Sequence, residues 1–482
     1  MTSIYKTRRS VMSDYGMIIN GQKIHTENTF SVLNPANEEV LAECPIATRG
    51  HLDQAVEAAS KAFESWSKVS DEERAAVCGK ISDAIASHSE ELAKLLTQEQ
   101  GKPLEGAGSR FELGGAAGWA GYTSTLKLPE KVIVDDENAK IVQTRKPIGV
   151  VGSILPWNWP LMIAVWHVVP AIRAGNTVVM KPSPYTPLSS LRLAEIISSV
   201  LPPGVLNCVA GENELGQWMT EHEDIQKIIF TGSIPTGKKV MNSSSATLKR
   251  LTLELGGNDA GIVLDDIDPS SVAQDIIQGA FLNNGQTCAA LKRLYVHESI
   301  HDELCEKLAE AATGIPMGDG LDEKNLQGPI QNKMQYDKVI DLFEDAKKQG
   351  GRVLCGGDIP DTPGYFMPYT LVADVKDGMR IVDEEQFGPL LPIIKYSDLD
   401  DAIKSANSLE TGLGGSVWSS NLERAAEVAS KLECGTAWVN GHGGIAPNVP
   451  FGGVKCSGIG VEFAEEGLHE YTNIQIVNVA KA

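Results

Sequence analysis

The sequence predicts an α/β fold made of two open parallel-sheet domains and a small β arm. Between residues 149 and 255, strand-like apolar segments alternate with amphipathic helical segments, and the alternation begins again after about residue 257 and runs to about 440. Strands separated by helices form parallel sheets with helices on both faces. Two charged, partly alternating segments near residues 130–146 and 472–479 predict strands that pair with each other. They form either an intersubunit arm or an ordinary sheet edge.

The helices are predicted from apolar residues that recur every three or four positions. Residues 52–66 follow this period, and a second helical pattern covers residues 81–95 before a glycine and a proline end it. A helix from residue 187 to 201 begins with Pro187 in its first position and Thr186 as its cap. Further helices are predicted over residues 161–174, 272–282 and 301–312, and strands over residues 149–155, 176–180, 227–231, 250–255, 260–264 and 292–296.

The chain is long and acidic, and this limits the classes of protein that it can represent. Its 482 residues, 42% of them hydrophobic, suffice for more than one core. A net charge of -21 disfavours nucleic acid and anionic membranes as partners. The eight cysteines lack C-x-x-C spacing, so we expect no disulfide scaffold and no metal site, and a reducing, cytoplasmic location. Residues 1–11 contain basic but no acidic residues, which suits a disordered extension better than a short organellar presequence.

A glycine-rich turn follows the predicted strand at residues 227–231. Its spacing nearly matches a nucleoside triphosphate loop, but Lys239 stands where magnesium binding needs Ser or Thr. The G-x-G-x-x-G dinucleotide pattern is also missing from this turn. Backbone amides at the start of the next helix, together with the hydroxyl of Ser233, suit a pyrophosphate. A plain tight turn explains the segment equally well.

Two polar side chains stand where a parallel sheet would bind a ligand. Asn158 follows the strand that ends at Leu155 and lies between two tryptophans, so its amide could donate to a developing oxyanion. A rigid, proline-flanked turn is the alternative. Glu254 lies on the strand face opposite three leucines, and two glycines that follow it permit close approach of a ligand. It is either a base that lines a cleft or a solvent-facing carboxylate.

A polar, turn-forming run presents one cysteine among small residues. The run extends from Asn283 to Thr287 and is followed by Cys288, Ala289 and Ala290. Although a free cysteine is more often a small buried residue, we interpret Cys288 as the nucleophile of a covalent reaction.

Seven motifs, in their order along nearly the whole chain, resemble those of the aldehyde dehydrogenase superfamily. They are Pro156-Trp-Asn-Trp-Pro160, Lys181-Pro-Ser183, Phe230-Thr-Gly-Ser233, Leu253-Glu-Leu-Gly-Gly257, Gly285-Gln-Thr-Cys288, Glu385-Gln-Phe-Gly-Pro389 and Pro450-Phe-Gly-Gly-Val-Lys455. The separation between Glu254 and Cys288 also agrees with the family. A chance match of seven ordered motifs is very improbable.

The resemblance implies an NAD(P)-dependent oxidation of an aldehyde to its acid. The thiolate of Cys288 would attack the aldehyde, and the Asn158 amide and the Cys288 backbone N–H would hold the oxyanion. Hydride would leave to NAD or NADP, and Glu254 would activate the water that hydrolyses the thioester. Relatives that pass the acyl group to coenzyme A lack this glutamate, so a hydrolytic reaction is expected. Coenzyme A acyl transfer, an esterase-only relative and an inactive structural protein are the alternatives.

The resemblance also assigns residues to the cofactor, the substrate and the transfer of protons. Lys181 would contact the adenosine ribose, Ser233 the pyrophosphate, and Glu385 with Phe387 the nicotinamide riboside. The other cofactor-binding residues would be Ile154, Leu155, Pro156, Trp157, Ser183, Pro184, Gly211, Gly232 and Leu255. The substrate tunnel would be lined by Trp159, Trp166, His442, Ile445 and Phe451, and the proton relay would use His167 and Glu462. No arginine occupies the matched tunnel positions, which favours a neutral aliphatic or aromatic aldehyde.

Two residues depart from the pattern of the family. Pro184 stands where NAD-preferring members carry a glutamate that binds the ribose hydroxyls, so NAD is only slightly favoured over NADP. His167 stands where many members have a lysine linked to proton relay. An imidazole with an ordinary pKa of ~6.5 is mostly neutral near pH 7. We therefore expect slower deacylation or an altered pH profile.

The resemblance further implies a division of the chain and an assembly. A Rossmann-like cofactor-binding domain would comprise residues 1–124 and 148–256, and a catalytic domain residues 257–456. Residues 125–147 and 470–482 would form the oligomerisation arm of a homodimer or homotetramer.

Overall fold

The computed structural model describes residues 15–481. The predicted extension or presequence at residues 1–11 lies outside the described residues. Within residues 15–481, no helix is both long and apolar enough to cross a membrane. The α-helices, in chain order, are α1 (Arg49–Trp66), α2 (Asp71–Ser87), α3 (Ser89–Gln100), α4 (Ser109–Thr125), α5 (Pro160–Arg173), α6 (Pro187–Ser198), α7 (Asn213–Glu221), α8 (Ile234–Ser244), α9 (Pro269–Phe281), α10 (His301–Ala312), α11 (Lys333–Lys348), α12 (Arg380–Asp383), α13 (Leu399–Asn407), α14 (Leu422–Ala429) and α15 (Ala464–His469).

The strands form two large sheets and three small ones. In chain order they are β1 (Met17–Ile19), β2 (Gln22–Ile24), β3 (Thr29–Leu33), β4 (Val40–Pro45), β5 (Lys131–Asp135), β6 (Ala139–Pro147), β7 (Val150–Ile154), β8 (Thr177–Lys181), β9 (Leu206–Cys208), β10 (Lys227–Gly232), β11 (Arg250–Leu255), β12 (Asp259–Val263), β13 (Leu291–His297), β14 (Arg352–Cys355), β15 (Thr370–Val375), β16 (Leu390–Tyr396), β17 (Thr411–Gly412), β18 (Gly414–Trp418), β19 (Thr436–Val439), β20 (Val454–Lys455), β21 (Gly458–Ile459) and β22 (Thr472–Ala480).

The first large sheet has eight strands in the order β2-β1-β9-β8-β7-β10-β11-β21. Its central strands, from β9 to β11, pair in parallel. Antiparallel pairs of β1 with β2, β1 with β9 and β11 with β21 lie toward its ends. All residues of β7 and β8 are buried, as expected of parallel strands covered by helices on both faces.

The second large sheet has seven strands in the order β14-β15-β16-β13-β12-β18-β19. Only the pair of β14 with β15 is antiparallel among its strands. Successive side chains alternate between two cores: Ile262 and Tyr295 lie in one, and Val263 and Leu294 in the other. The two parallel sheets confirm the predicted fold class, while the division of the chain into domains remains a prediction.

The predicted pairing of distant segments is present in a third sheet. β22 pairs antiparallel with β6 from Thr472 opposite Pro147 to Ala480 opposite Ala139, and β5 extends the sheet. Apolar side chains on this sheet are exposed: Ile474 is 58% exposed and Val132 is 54% exposed. The contact of this arm with a second subunit remains a prediction.

The helical pattern predicted over residues 81–95 belongs to two helices, because α2 ends at Ser87 and α3 begins at Ser89. His88 lies between them with non-helical dihedral angles. The Ser87 hydroxyl donates to the carbonyl of Asp83 at 2.8 Å. Such local side-chain bonds compete with continuation of the helix.

The predicted cap of α6 was wrong in one respect. Pro187 occupies the first position, but the Thr186 side chain makes no capping hydrogen bond. The buried carboxylate of Glu99 instead accepts from the N–H groups of Leu188 at 2.8 Å and Ser189 at 3.0 Å. A charge from α3 therefore satisfies the first turn of α6, a contact that the local sequence does not reveal.

Candidate active site

The loop that carries Cys288 is held in an uncommon backbone conformation. Asn283, Asn284 and Gly285 are consecutive left-handed residues with φ of 51°, 59° and 73°, a conformation that asparagine and glycine adopt more readily than other residues. A Cβ at Gly285 would collide with the backbone of Gly388. The motif around Gly388 therefore packs directly against the loop that carries Cys288, which we call the nucleophile loop (residues 283–288).

Cys288 is a half-buried free thiol at the end of this loop. It packs against a small apolar cluster that contains Leu413 and Phe451. Burial is the main cause that raises the thiol pKa to about 12, and the carboxylates of Glu254, Asp259 and Glu385 raise it further, whereas Lys292 lowers it. The resting thiol is therefore protonated at neutral pH. A nucleophilic role requires its proton to be removed.

Asn158 is held against the same loop by hydrogen bonds. Its side chain is 3% exposed, and its Nδ2 donates to the Gln286 carbonyl at 2.9 Å. The Asn283 amide donates back to the Asn158 carbonyl at 2.8 Å. Within residues 15–481, the backbone N–H of Cys288 has no hydrogen-bond acceptor. One amide hydrogen of Asn158 and this N–H are thus without acceptors among residues 15–481, at the loop that carries Cys288.

A buried ion pair, which the sequence did not reveal, contacts the backbone of Asn158. Lys102 Nζ lies 2.5 Å from Glu112 Oε2, and both side chains are 0% exposed. The ammonium also donates to the Asn158 carbonyl at 2.8 Å. Glu112 accepts from the first-turn N–H of Leu161 at 2.8 Å, where a carboxylate complements the start of α5. The backbone of Asn158 is therefore held by Lys102 and Asn283, and its side chain by the Gln286 carbonyl.

Glu254 is buried and has no partner for its carboxylate. It is 5% exposed, and neither of its oxygens has a hydrogen-bond partner among residues 15–481. This excludes a solvent-facing strand carboxylate. Burial, and next the charge of Glu462, raise the pKa of Glu254 well above its ordinary value. A carboxyl group whose pKa is raised in this way is a stronger base, when ionised, than an ordinary carboxylate.

Glu462 and His167 lie together behind Glu254. Glu462 Oε1 is 3.3 Å from His167 Nε2, and burial raises the Glu462 pKa to about 8. The imidazole also lies 3.0 Å from the hydroxyls of Ser153 and Thr231. Burial, and next the charge of Lys227, lower the pKa of His167 to about 3. His167 is therefore neutral at physiological pH, as the sequence predicted.

Glu462 is placed by a strained segment. Phe463 has φ 68° and ψ 169°, a region that residues other than glycine rarely occupy and that costs about 1 to 3 kcal/mol. A Cβ at Gly467 would lie 2.5 Å from the backbone carbon of Glu462. Glu462, which directly precedes this strained residue, is 4% exposed.

Aromatic side chains surround the predicted substrate region. The Phe463 ring lies 4.7 Å from Trp166, 5.5 Å from Trp119 and 6.1 Å from Phe451, measured between ring centroids. Ile445 contacts the small cluster that also borders Cys288. Trp119 and Phe463 were missed by the sequence analysis. Trp119 lies on α4, which was not predicted because glycines at positions 114, 115, 118 and 121 interrupt its helical pattern.

Two residues of the predicted substrate tunnel make polar contacts with neighbouring side chains. The indole of Trp159 donates to the Thr287 hydroxyl at 3.0 Å and lies 3.6 Å beneath the ammonium of Lys102. The imidazole of His442 is fully buried, 2.9 Å from the Ser416 hydroxyl and 3.6 Å from a carboxylate oxygen of Asp259. Both contact residues near the nucleophile, and their predicted contact with substrate remains a prediction.

The predicted cofactor-binding residues gather at the carboxyl ends of adjacent strands. Ile154 pairs with Lys181 across β7 and β8, and Gly232 pairs with Leu255 across β10 and β11. This confirms that Lys181 lies beside the end of the strand that leads to Asn158. The remaining predicted residues follow these strand ends, precede α7 or approach from the second sheet: Leu155, Pro156, Trp157, Ser183, Pro184, Gly211, Ser233, Glu385 and Phe387.

These residues fit a dinucleotide. Lys181 is 3% exposed, and its ammonium donates to the Pro182 carbonyl at 3.1 Å, which leaves further donors for hydroxyl groups. Ser233 precedes the first turn of α8 without capping it, so the helix N-terminus is open to an anion. The rings of Phe387 and Trp157 are 5.3 Å apart and present an apolar wall near the nucleophile loop.

Lys292 connects Cys288 to Glu385 and was also missed by the sequence analysis. Its ammonium donates to the carbonyls of Cys288 at 2.5 Å and Gly257 at 3.0 Å. It forms an ion pair with Glu385 Oε1 at 2.9 Å. The side chain of Lys292 is 3% exposed. A lysine within a strand carries no sequence signal for these contacts.

Comparisons with known proteins agree with this geometry. The family described as "Aldehyde dehydrogenase family" matches residues 23–477. A putative aldehyde dehydrogenase, FUS7, of Gibberella fujikuroi is 40% identical over 451 residues, which cover 94% of this chain and 95% of that protein. The crystal structure of a putative aldehyde dehydrogenase from Burkholderia cenocepacia has a TM-score of 0.94 at 38% identity and 97% coverage of both chains. The NAD+ complex of a Bacillus cereus aldehyde dehydrogenase has a TM-score of 0.94 at 36% identity and covers 97% of this chain and 96% of that one. The chain belongs to the aldehyde dehydrogenase family.

Proposed function

We propose that this enzyme oxidises an aldehyde to the carboxylic acid through a thioester on Cys288. One observation carries the proposal. Asn158 donates to the Gln286 carbonyl of the loop that carries Cys288 and keeps a second amide hydrogen, and the Cys288 N–H has no acceptor among residues 15–481. The buried, partnerless carboxyl group of Glu254 acts electrostatically on the Cys288 thiol.

The first half of the reaction uses the donors. The Cys288 thiol releases its proton to solvent and the thiolate sulfur attacks the carbonyl carbon, while the Asn158 amide with the Cys288 N–H stabilises the negative oxygen of the thiohemiacetal. When bound, the nicotinamide supplies the oxidising equivalent by accepting hydride. Because Asn158 is fixed by the Lys102–Glu112 pair and by the nucleophile loop, its amide is oriented before the charge develops.

The second half uses the carboxyl groups. Glu254 removes a proton from water, the water attacks the thioester carbon, and the C–S bond breaks to release the acid. Glu462 raises the pKa of Glu254, which supports transfer of the proton between the two groups. His167 is neutral and contacts Glu462. Its Nε2 lies 3.3 Å from Glu462 Oε1, and it cannot act as a base at its pKa of about 3.

Both NAD and NADP would serve as cofactor, with NAD slightly favoured. Lys181 would hold the adenosine ribose, and Ser233 with the start of α8 the pyrophosphate. Glu385 and Phe387 would hold the nicotinamide riboside. Pro184 has no acceptor for the ribose hydroxyls and no charge to repel a 2′-phosphate. Initial rates with each dinucleotide measure this preference, and a strict preference for either one would contradict it.

The substrate would be a neutral aromatic or aliphatic aldehyde. The rings of Trp119, Trp166, Phe451 and Phe463 support this, because such surfaces gain free energy by burying apolar groups and offer no cation to a second carboxylate. An aldehyde that carries a carboxylate is expected to have the larger KM.

The assembly would be a homodimer or homotetramer in the cytoplasm. The exposed apolar side chains of β5 and β22 support the assembly. The eight free cysteines support a reducing compartment. Sedimentation of wild type and of an Ile474→Lys variant tests the contact, which the added charge should weaken.

One experiment tests the proposed reaction. Purified protein is incubated with a panel of aldehydes and NAD or NADP, with and without coenzyme A, and nicotinamide reduction and acid formation are followed. We expect reduction without coenzyme A, the free acid as product, and no turnover in Cys288→Ala. No reduction with any aldehyde, or a product that forms only with coenzyme A, would contradict the proposal.

A further inference from the structure

Lys292 is a buried cation that the proposed reaction does not use. Its side chain is 3% exposed and therefore has little contact with solvent. Instead it is surrounded by the carbonyls of Cys288 and Gly257 and by the carboxylate of Glu385. Burying an ammonium costs free energy unless its partners compensate it. If Lys292 only anchored the loop, a neutral side chain would suffice and would avoid this cost.

The position of this charge relative to the thiol is informative. Lys292 Nζ lies 2.5 Å from the backbone oxygen of Cys288, so it is close to the sulfur of the same residue. The other charges that act on the thiol are the carboxylates of Glu254, Asp259 and Glu385, and they disfavour a thiolate. Lys292 favours the thiolate, and its effect is the largest of the charge effects given for the thiol.

We infer that Lys292 is a positioning residue that stabilises the thiolate of Cys288, and that Glu385 opposes it by neutralising the ammonium. The inference rests on the proposed role of Cys288 as the nucleophile. Glu385 lies on the side of Lys292 that faces Gly256, where a Cβ would come within 2.5 Å of its Oε2. The ammonium is therefore shared between the nucleophile loop and a side chain that approaches from the second sheet.

The two residues should have opposite effects on the thiol. Removing the charge of Lys292 leaves three carboxylates around Cys288 and disfavours the thiolate. Removing the charge of Glu385 takes away one of these carboxylates and also frees the ammonium. A loop anchor without an electrostatic role would not produce effects of opposite sign.

Alkylation of Cys288 by iodoacetamide measures this directly, because the thiolate is the reacting species. The rate is followed as a function of pH by mass spectrometry of the Cys288 peptide, without aldehyde or cofactor. Below the thiol pKa, we expect Lys292→Met to lower the rate by about tenfold or more, the change that one pKa unit produces. We expect Lys292→Arg to restore most of the rate and Glu385→Gln to raise it above wild type.

The matched control is Lys338→Met. Lys338 is exposed, and its ammonium binds the backbone carbonyl of Glu385 at 2.7 Å, so this variant removes a lysine near Glu385 without removing the buried charge. Its alkylation rate should equal that of wild type. An unchanged rate in Lys292→Met, or a lowered rate in Glu385→Gln, would overturn the inference. If Lys292→Met does not fold, Glu385→Gln still decides the question. A protein that fails to oxidise aldehydes but shows these alkylation rates would refute the proposed function alone.

Discussion

The polar groups on the two sides of Cys288 are satisfied to opposite extents. On the side of Asn158, the amide, its backbone carbonyl and the supporting Lys102–Glu112 pair all make hydrogen bonds. On the side of Glu254, both carboxylate oxygens and Glu462 Oε1 lack hydrogen-bond partners among residues 15–481. The first arrangement suits groups that must hold one geometry. The second suits groups that must bind water and change protonation.

The largest effect is expected from the base side. Glu254→Gln should lower kcat by about 10²- to 10⁴-fold, the usual contribution of a general base, because no carboxylate remains to activate water. The thioester should accumulate, since its formation does not need this base. Steady-state rates and mass spectrometry of the acylated peptide measure both. A kcat close to that of wild type would contradict the assignment of Glu254.

On the donor side, Asn158→Ala should lower kcat by about 10²- to 10³-fold, as expected when an oxyanion donor is removed. Here the thioester should not accumulate, because its formation is the slowed step. Asn158→Asp serves as a matched variant that keeps the size of the side chain but loses the N–H donors. Equal activity of Asn158→Asp and wild type would contradict the donor role.

The Lys102–Glu112 pair should matter for stability as well as for activity. Lys102→Met leaves the Glu112 carboxylate buried without its cation, which typically costs about 3 to 5 kcal/mol in the free energy of unfolding. Lys94→Met is the control, because Lys94 pairs with Glu90 at the surface, where the side chains are 56% and 50% exposed, and should change stability by about 1 kcal/mol or less. Denaturant unfolding compares the two. Equal losses of unfolding free energy in Lys102→Met and Lys94→Met would contradict a larger contribution of the buried pair to stability.

The carboxyl groups on the base side predict a pH dependence. Glu462 is protonated below its pKa of about 8 and can accept a proton only above it, so deacylation should speed up as the pH rises through about 8. Glu462→Gln removes a charge that raises the Glu254 pKa. Because the variant also lacks the group that titrates near 8, the rise through pH 8 should be lost. The remaining rise, set by the lowered Glu254 pKa, should lie at lower pH and reach a lower plateau. The exposed neighbour variant Glu465→Gln should leave the pH profile of kcat unchanged.

The smallest effect is expected at His167. A neutral imidazole does not favour the ionised form of Glu462, whereas a lysine ammonium at this position would lower the Glu462 pKa. His167→Lys should therefore move the rising limb of the pH profile to lower pH with a change in kcat of about tenfold or less, the equivalent of one pKa unit. Identical pH profiles for wild type and His167→Lys would remove this interpretation.

The sequence predicted the parts of the site that depend on the order of strands. Asn158, Lys181 and Glu254 follow or end strands, so their meeting at one sheet edge follows from the parallel topology. Lys102, Glu112, Trp119 and Lys292 could not be found in this way. Their contacts arise from the packing of α4 and of β13, and neither the residue types nor their spacing differs from those of ordinary helices and strands. The cap of α6 failed for the same reason, because Glu99 comes from a different helix.

The difference between the two sides of Cys288 is tested most directly by rapid mixing of enzyme, aldehyde and NAD, with the amplitude of the first nicotinamide reduction as the observable. We predict a fast burst that approaches one equivalent per site in Glu254→Gln, followed by very slow turnover, and no burst in Asn158→Ala. Loss of the burst in Glu254→Gln together with a normal burst in Asn158→Ala would contradict the assignment of the two sides.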